Sequence, residues 1–418
     1  MSEAECPLKK NIYQVDSAYA WVVAFSSLGL ATIGSGIFYL VAIAIVPQVT
    51  ELGISAESAS LPYGAAMVGM GIGGILMGWV ADKKGPFGPA ILGSLSIAAG
   101  CYLISEIRDF NVIVIVYGLL LGALGNAALV APLLSNTMLW FKERRGIASA
   151  VVGAGNALGG AVWPPILFWW NAQYGFSSCY RAFAIFALIT MLPMCFLLRE
   201  NRPPESVESV TANDEKAQIK LLVVPAHLFV CLLCMAVVGC CIAMSMPMVH
   251  LPNYAKSIGF SIEEGAILLS ALMTSSVIAR IIWGFICDRI GGLKTLFTAS
   301  SLQAIGLIGL TISDGLAYLY LAGIIFGIGF GGILPCYPVI LREYLPAEGL
   351  GFKVGLVVFF GAVGMALGPE IAGRIYALLN NYSTGFLAGI TANIINLTII
   401  GGIIKFGFKK GRLEQAFN

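Results

Sequence analysis

Long apolar runs recur twelve times along this 418-residue chain, at about 18–46, 59–80, 89–105, 112–138, 147–170, 182–198, 221–252, 264–287, 295–312, 316–341, 351–379 and 384–408. A helix of about 20 residues crosses the hydrocarbon core of a bilayer. Helices and closed barrels are the only structures that satisfy their backbone there. Runs of this length and number predict an all-α polytopic membrane protein with 12 transmembrane helices. The composition excludes the alternatives: 58% of residues are hydrophobic and 11% are charged, where a soluble domain carries about 25% charged residues. A soluble enzyme or a nucleic-acid binder is ruled out on that ground. No nucleophile–base or metal constellation stands out, so we expect no enzymatic activity, no cofactor and no metal. The ten cysteines lack metal-ligand spacing and mostly lie inside apolar runs, where a free thiol acts as a small hydrophobe.

The longest polar stretch, RENRPPESVESVTANDEKAQIK at 199–220, leaves six runs on each side. The expected organisation is an N-terminal tail (1–17), a six-helix bundle (18–198), a cytoplasmic linker (199–220), a second six-helix bundle (221–408) and a C-terminal tail (409–418). The first 16 residues are polar and lack the apolar core and small-residue cleavage site of a signal peptide. The first run is therefore read as a retained helix. Lys and Arg collect in cytoplasmic loops. With the N-terminus inside, 19 of the 24 cations fall in inside segments and three (Arg108, Arg181, Lys256) in outside loops. The remaining two, Arg280 and Arg374, fall within spans. Both termini are expected in the cytoplasm, in a multi-pass protein of the cell inner (plasma) membrane.

The two halves repeat. Gly78-Trp-Val-Ala-Asp82-Lys83-Lys84-Gly85 and Gly284-Phe-Ile-Cys-Asp288-Arg289-Ile-Gly291 both read G-x-x-x-D-[KR]-x-G, offset by 206. Gly118-x-x-x-Gly122 meets Gly323-x-x-x-Gly327, and Trp163-Pro164-Pro165 meets Gly368-Pro369-Glu370, both at offset 205. The repeated loop matches the short loop motif of the major facilitator superfamily, and the chain resembles that superfamily over nearly its whole length. The resemblance implies two pseudo-symmetric six-helix bundles rocking about a site near the midplane. It also implies a cytoplasmic gating motif made of Asp82, Lys83, Lys84, Asp288 and Arg289. The stripes Gly69/Gly73, Gly74/Gly78, Gly155/Gly159 and Gly323/Gly327/Gly331 predict close helix contacts. Pro164, Pro165 and Pro369 are expected to bend spans five and eleven.

Ionisable groups at bilayer depth are costly and mark function. Arg280 lies eight residues before Asp288, roughly 12 Å along a helix and so near the midplane. Its i−4 and i+4 neighbours are Ser276 and Gly284, neither acidic. A guanidinium fork fits a carboxylate in bidentate fashion, which makes Arg280 the candidate substrate anchor. Glu370 and Arg374 are four apart and can pair on one helix face. His250 stands in Pro247-Met-Val-His250-Leu-Pro252 and is suited to proton exchange or to a structural hydrogen bond. These three are the proton-coupling candidates. Asn126 and Asn156 fall near mid-span, where an amide bonds a neighbouring helix or a substrate. Tyr39, Tyr117, Phe359 and Phe360 are candidate pocket walls.

The segment Asp16-Ser17-Ala18-Tyr19-Ala20-Trp21-Val22-Val23 resembles the D-G-G-[WY]-G-W-V-V pattern of the monocarboxylate transporter family. Trp140-Phe141-Lys142-Glu143-Arg144-Arg145-Gly146-Ile147-Ala148-Ser149-Ala150 is similar to its Y-F-x-[KR]-[KR]-x-x-A-x-G pattern, and Ser276–Arg280 to the segment carrying its substrate arginine. The resemblance implies proton-coupled symport of small monocarboxylates of the lactate or pyruvate kind by alternating access. The implied partners are a small carboxylate anion, protons and the lipid bilayer, with no nucleic acid; a monomer suffices. The chain departs from the pattern at Ser17, Ala18 and Ala20. Residues Ser26 to Val46 include no charged side chain, and Ser276 replaces the acid that animal members carry one turn before the arginine. Two alternatives stand beside this reading. One is an exchanger of the related oxalate/formate type, which uses a second cation in span eleven, where this chain aligns Gly361. The other is a non-transporting carboxylate sensor on the same fold. A single midplane cation favours a single carboxylate.

Overall fold

The computed structural model describes residues 14–41, 61–199, 224–312 and 315–407. The tails up to residue 13 and from 408, the linker from 200, residues 42–46 of the first apolar run and the Ser313–Asp314 break lie outside the described residues. Among the described residues, twelve helices are long and apolar enough to cross a membrane. They are α1 (Ala18–Val41), α2 (Leu61–Lys84), α3 (Phe87–Glu106), α4 (Phe110–Trp140), α5 (Arg145–Leu167), α6 (Trp169–Phe196), α7 (Ala226–Ser257), α8 (Ile267–Ile290), α9 (Gly292–Ile312), α10 (Leu316–Tyr344), α11 (Leu350–Leu379) and α12 (Tyr382–Phe406).

Local chemistry sets several starts. Asp109 caps α4 by accepting from Asn111 N (2.9 Å) and Val112 N (3.4 Å). Ser261 and Glu264 form a capping box ahead of α8, with bonds of 3.1 and 2.8 Å. Asn381 accepts from Ser383 N at the start of α12 (2.8 Å). Two departures from the sequence reading stand out. Helical backbone runs on from α5 through Pro164 and Pro165 into α6, and the interruption comes at Gly175 (φ 76°, ψ 166°). Much of the expected outside loop before residue 182 is thus helix, and Arg181 sits on α6, paired with Glu106 at 2.6 Å. Lys83, Lys84, Lys256, Arg289 and Arg342 likewise belong to helix ends. Helices outlast their apolar stretch because long basic side chains reach water from the last turn and suit the carbonyl end of a helix.

The described residues cluster into two compact units. One holds α1–α4, the chain from Val151 through α6, and Ala347–Phe359 at the start of α11. The other holds Arg144–Ala150, α7–α10, and α11 from Phe360 through α12. In the first unit the glycine stripes bring backbones together: Gly69 and Gly73 meet α4 at Gly118 and Ala123, and Gly155 meets α1 at Ala31 and Leu28. Trp163 Nε1 donates to Thr32 O across the same α1–α5 contact (2.7 Å). In the second unit Gly327 and Gly331 of α10 lie on the backbone of α8 at Leu272 and Ser276. Van der Waals contact between such bare faces is what holds helices together where lipid removes the hydrophobic drive.

Candidate functional site

The glycines and acids of the repeated loop motif make matching contacts in the two halves. In the first unit, Gly78 lies against the backbone of Gly351. Asp82 accepts from Gly351 N (2.7 Å) and Phe352 N (2.9 Å), capping the amino end of α11 with both carboxylate oxygens. In the second unit, Gly284 lies against Ile147 and Ala150. Asp288 accepts from Gly146 N (2.5 Å) and Ile147 N (3.1 Å), capping α5 in the same way. The closing glycines, Gly85 and Gly291, have φ of 78° and 82°, values that side-chain-bearing residues rarely take. The basic positions are used differently. Lys83 Nζ stands 3.9 Å over the Trp79 ring, and Lys84 and Arg289 are exposed.

Two charged residues lie beside this cluster, just past the tenth run, which the sequence reading ends at 341; Arg342 counts there only as an inside cation, and Glu343 is given no role. Arg342, 3% exposed, and Glu343 close α10. Glu343 accepts from Gly292 N with both oxygens (3.1 Å each), capping α9. Arg145 and Asp288 are near enough to act on it electrostatically. Ser149 donates to Pro335 O (2.7 Å), a further tie between the start of α5 and α10.

Arg280 is buried on α8, 7% exposed, with Ser276 one turn away at 2%. The Gly331 backbone of α10 abuts both residues. Trp283 Nε1 donates to Ile328 O (2.7 Å), locking the same two helices one turn further on. Charge, burial and a rigid backing helix therefore coincide at Arg280.

In the first unit, Tyr117–Asn126 forms a π-helical segment inside α4, which nothing in the apolar pattern announced. Such segments displace side chains from the α-helical register and gather at functional sites. Its last residue, Asn126, is 0% exposed, and among the described residues neither amide atom has a hydrogen-bond partner. Its first residue, Tyr117, is fully buried and bonded to the Tyr180 hydroxyl, which donates to Leu40 O (3.0 Å). That chain leaves the Tyr117 hydroxyl no proton for a ligand. Tyr39 is half-buried with its hydroxyl by Gly160. Asn156 is exposed, so the two mid-span asparagines occupy different environments. Phe359 packs on Gly71 in the first unit. Phe360 is half-buried in the second.

His250 Nε2 lies 3.0 Å from Pro369 O, and its ring is 5.4 Å from that of Tyr382. It ties α7 to α11 and α12. Arg374 Nε donates to Glu370 Oε1 at 2.7 Å; the two side chains are 78% and 60% exposed.

The first two signature segments dock on each other. Asp16 Oδ2 accepts from Lys142 N and Glu143 N (3.1 Å each), and Asp16 N donates to Trp140 O (2.9 Å). Tyr19 meets Trp140 with ring centres 5.3 Å apart, and Trp21 meets Phe141 at 4.9 Å. Two sequence patterns more than 100 residues apart thus make one structure at the start of α1.

Comparison with known proteins fits this architecture. The family model of the Major Facilitator Superfamily matches residues 21–400. MFS-type transporter pynF of Aspergillus niger is 27% identical over 317 residues, covering 76% of this chain and 71% of its own. Agnestins efflux protein AgnL12 of Paecilomyces divaricatus is 21% identical over 343 residues, 82% of this chain and 76% of its own. Among solved structures, the human organic anion transporter MFSD10 superposes with a TM-score of 0.71 at 14% identity, covering 91% of this chain and 99% of its own. The outward-facing transporter FucP superposes with a TM-score of 0.66 at 15% identity, covering 90% and 99%. The chain belongs to the Major Facilitator Superfamily and has its fold.

Proposed function

We propose that this MFS-type transporter carries small monocarboxylates of the lactate or pyruvate kind in symport with protons, anchoring the carboxylate on Arg280. The observation that supports the reading most is the burial of Arg280 on α8, at 7% exposure, in a chain with few intramembrane charges. A guanidinium keeps its charge at any physiological pH and holds a carboxylate through two parallel bonds. Because Arg280 does not release a proton, a symported proton must travel with the substrate or on a neighbouring group. The docking of Asp16 on the α4–α5 loop supports the same family reading, since both partners belong to the segments that resemble monocarboxylate transporters. The orientation that goes with it puts both termini in the cytoplasm of a cell inner (plasma) membrane.

The test is uptake of labelled lactate and pyruvate into proteoliposomes under an inward proton gradient. Arg280→Ala should abolish uptake, and Arg280→Lys should leave it poor, because an ammonium lacks the fork. Uptake by the alanine variant at the wild-type rate would remove the anchor. Stimulation by internal anion alone, with no response to the proton gradient, would point to the exchanger. Ligand-dependent thermal stabilisation with no flux would point to the sensor.

The relatives favour a second reading, export of larger organic metabolites. AgnL12 is named as an efflux protein for agnestins, and apdF of Emericella nidulans, 27% identical over 297 residues, for aspyridones. On this reading Arg280 still holds an acidic group, on a bulkier molecule. Competition of labelled lactate uptake by large and small carboxylates separates the two.

A further inference from the structure

At one end of α9 and α12, within the second unit, Ile290, Lys294, Phe297, Thr298, Gly401 and Ile404 line a groove of about 420 Å³. Gly401 shapes it: a Cβ there would stand 3.3 Å from Phe297 Cε2, so the bare backbone keeps the groove open along the ring. Thr298 turns its hydroxyl back onto its own helix, donating to Lys294 O or Thr295 O at 3.0 Å, and presents no free donor to the groove. The lining is therefore apolar along its length, with one cation, Lys294, at the end where α9 begins. Arg289 and Lys405, both exposed, are the chain neighbours of the lining residues Ile290 and Ile404.

An apolar channel ending in cations matches an acyl chain joined to a negative headgroup. Basic pockets between helices on the cytoplasmic side recognise anionic lipids through this pairing. An open groove on a bilayer-facing surface is filled by lipid, because an empty one forfeits dispersion contacts on one side.

We propose that the α9–α12 groove is a site for an anionic phospholipid, with an acyl chain lying along Phe297, Gly401 and Ile404 and the phosphate on Lys294. A zwitterionic lipid fills the groove equally well but gains less, since its headgroup carries no net negative charge for Lys294. The inference rests on these helices spanning the membrane and is independent of the substrate assigned to Arg280.

The experiment is native mass spectrometry of the full-length protein in detergent, titrated with equal amounts of phosphatidylglycerol and phosphatidylcholine of matched chains. The wild type should retain phosphatidylglycerol in severalfold excess. Lys294→Gln should bring the ratio near one, while Lys142→Gln, which changes an exposed lysine on the α4–α5 loop, should leave it as in the wild type. Gly401→Val should lower retention of both lipids by filling the groove. Equal retention of the two lipids by the wild type overturns the proposal, as does an unchanged preference in Lys294→Gln. Undiminished binding by a folded Gly401→Val variant overturns the placement of the chain.

Discussion

Asp82 holds the amino end of α11 through Gly351, whose N–H it accepts at 2.7 Å while its other oxygen takes Phe352 N at 2.9 Å. The acid lies at the end of α2 and its partner 269 residues later. Asp288 repeats the arrangement on α5. A carboxylate facing exposed N–H groups gains from hydrogen bonds and from the helix dipole, together about 1–2 kcal/mol. Asp82→Asn keeps the shape but loses the charge and turns an amide donor toward one N–H. If these contacts must break and reform in each transport cycle, the variant shifts that equilibrium about 5- to 30-fold. We expect Asp82→Asn and Asp288→Asn each to slow exchange severalfold in proteoliposomes while ligand-induced thermal stabilisation persists. Wild-type exchange rates in both variants would remove the latch.

These contacts also show what the sequence made legible. Twelve spans followed from apolar run length, and the motif positions at Asp82 and Asp288 followed from repetition at a fixed offset. The partners at Gly351 and Gly146 did not, because a cap on a distant helix leaves no local pattern. The π-helical segment at Tyr117–Asn126 was equally hidden, since one extra residue in a helical turn does not disturb an unbroken apolar run. Glu343 was missed because a charged pair just past an apolar run reads as loop. Its role depends on Gly292 N, supplied by another helix.

The Asp16 cap gives a local test. Its side chain receives two backbone N–H groups from the α4–α5 loop, and Trp21 packs on Phe141 beside it. Asp16→Ala leaves both donors without this acceptor, at a cost of about 1–2 kcal/mol. We expect a lower unfolding temperature in detergent, with Asp16→Asn retaining part of the difference. An Asp16→Ala variant as stable as the wild type would show that water replaces the carboxylate freely.

His250 is expected to act as a tie. Its Nε2 is engaged with Pro369 O at 3.0 Å, and glutamine offers an amide donor of similar reach. His250→Gln should therefore keep both stability and proton-driven accumulation. His250→Ala should lose about 1 kcal/mol of stability from the broken bond. Accumulation abolished in the glutamine variant, with anion exchange intact, would instead identify His250 as the proton carrier.

The Glu370–Arg374 pair allows a sharper separation of structure from coupling. Its partners are one turn apart and mostly exposed at the protein surface. Where water surrounds such a pair, its net contribution is about 0–1 kcal/mol. Where lipid surrounds it, each charge alone is costly and the pair offsets that cost. A double-mutant cycle distinguishes the two environments. We expect Glu370→Gln and Arg374→Gln to lower the unfolding temperature individually, and the double variant to recover most of the loss, because neutralising both removes the orphaned charge. Single variants as stable as the wild type would place the pair in water. If the double variant also keeps proton-driven accumulation, the proton route does not run through Glu370 and must use the substrate carboxyl or another group; loss of accumulation at full stability would put Glu370 on the route.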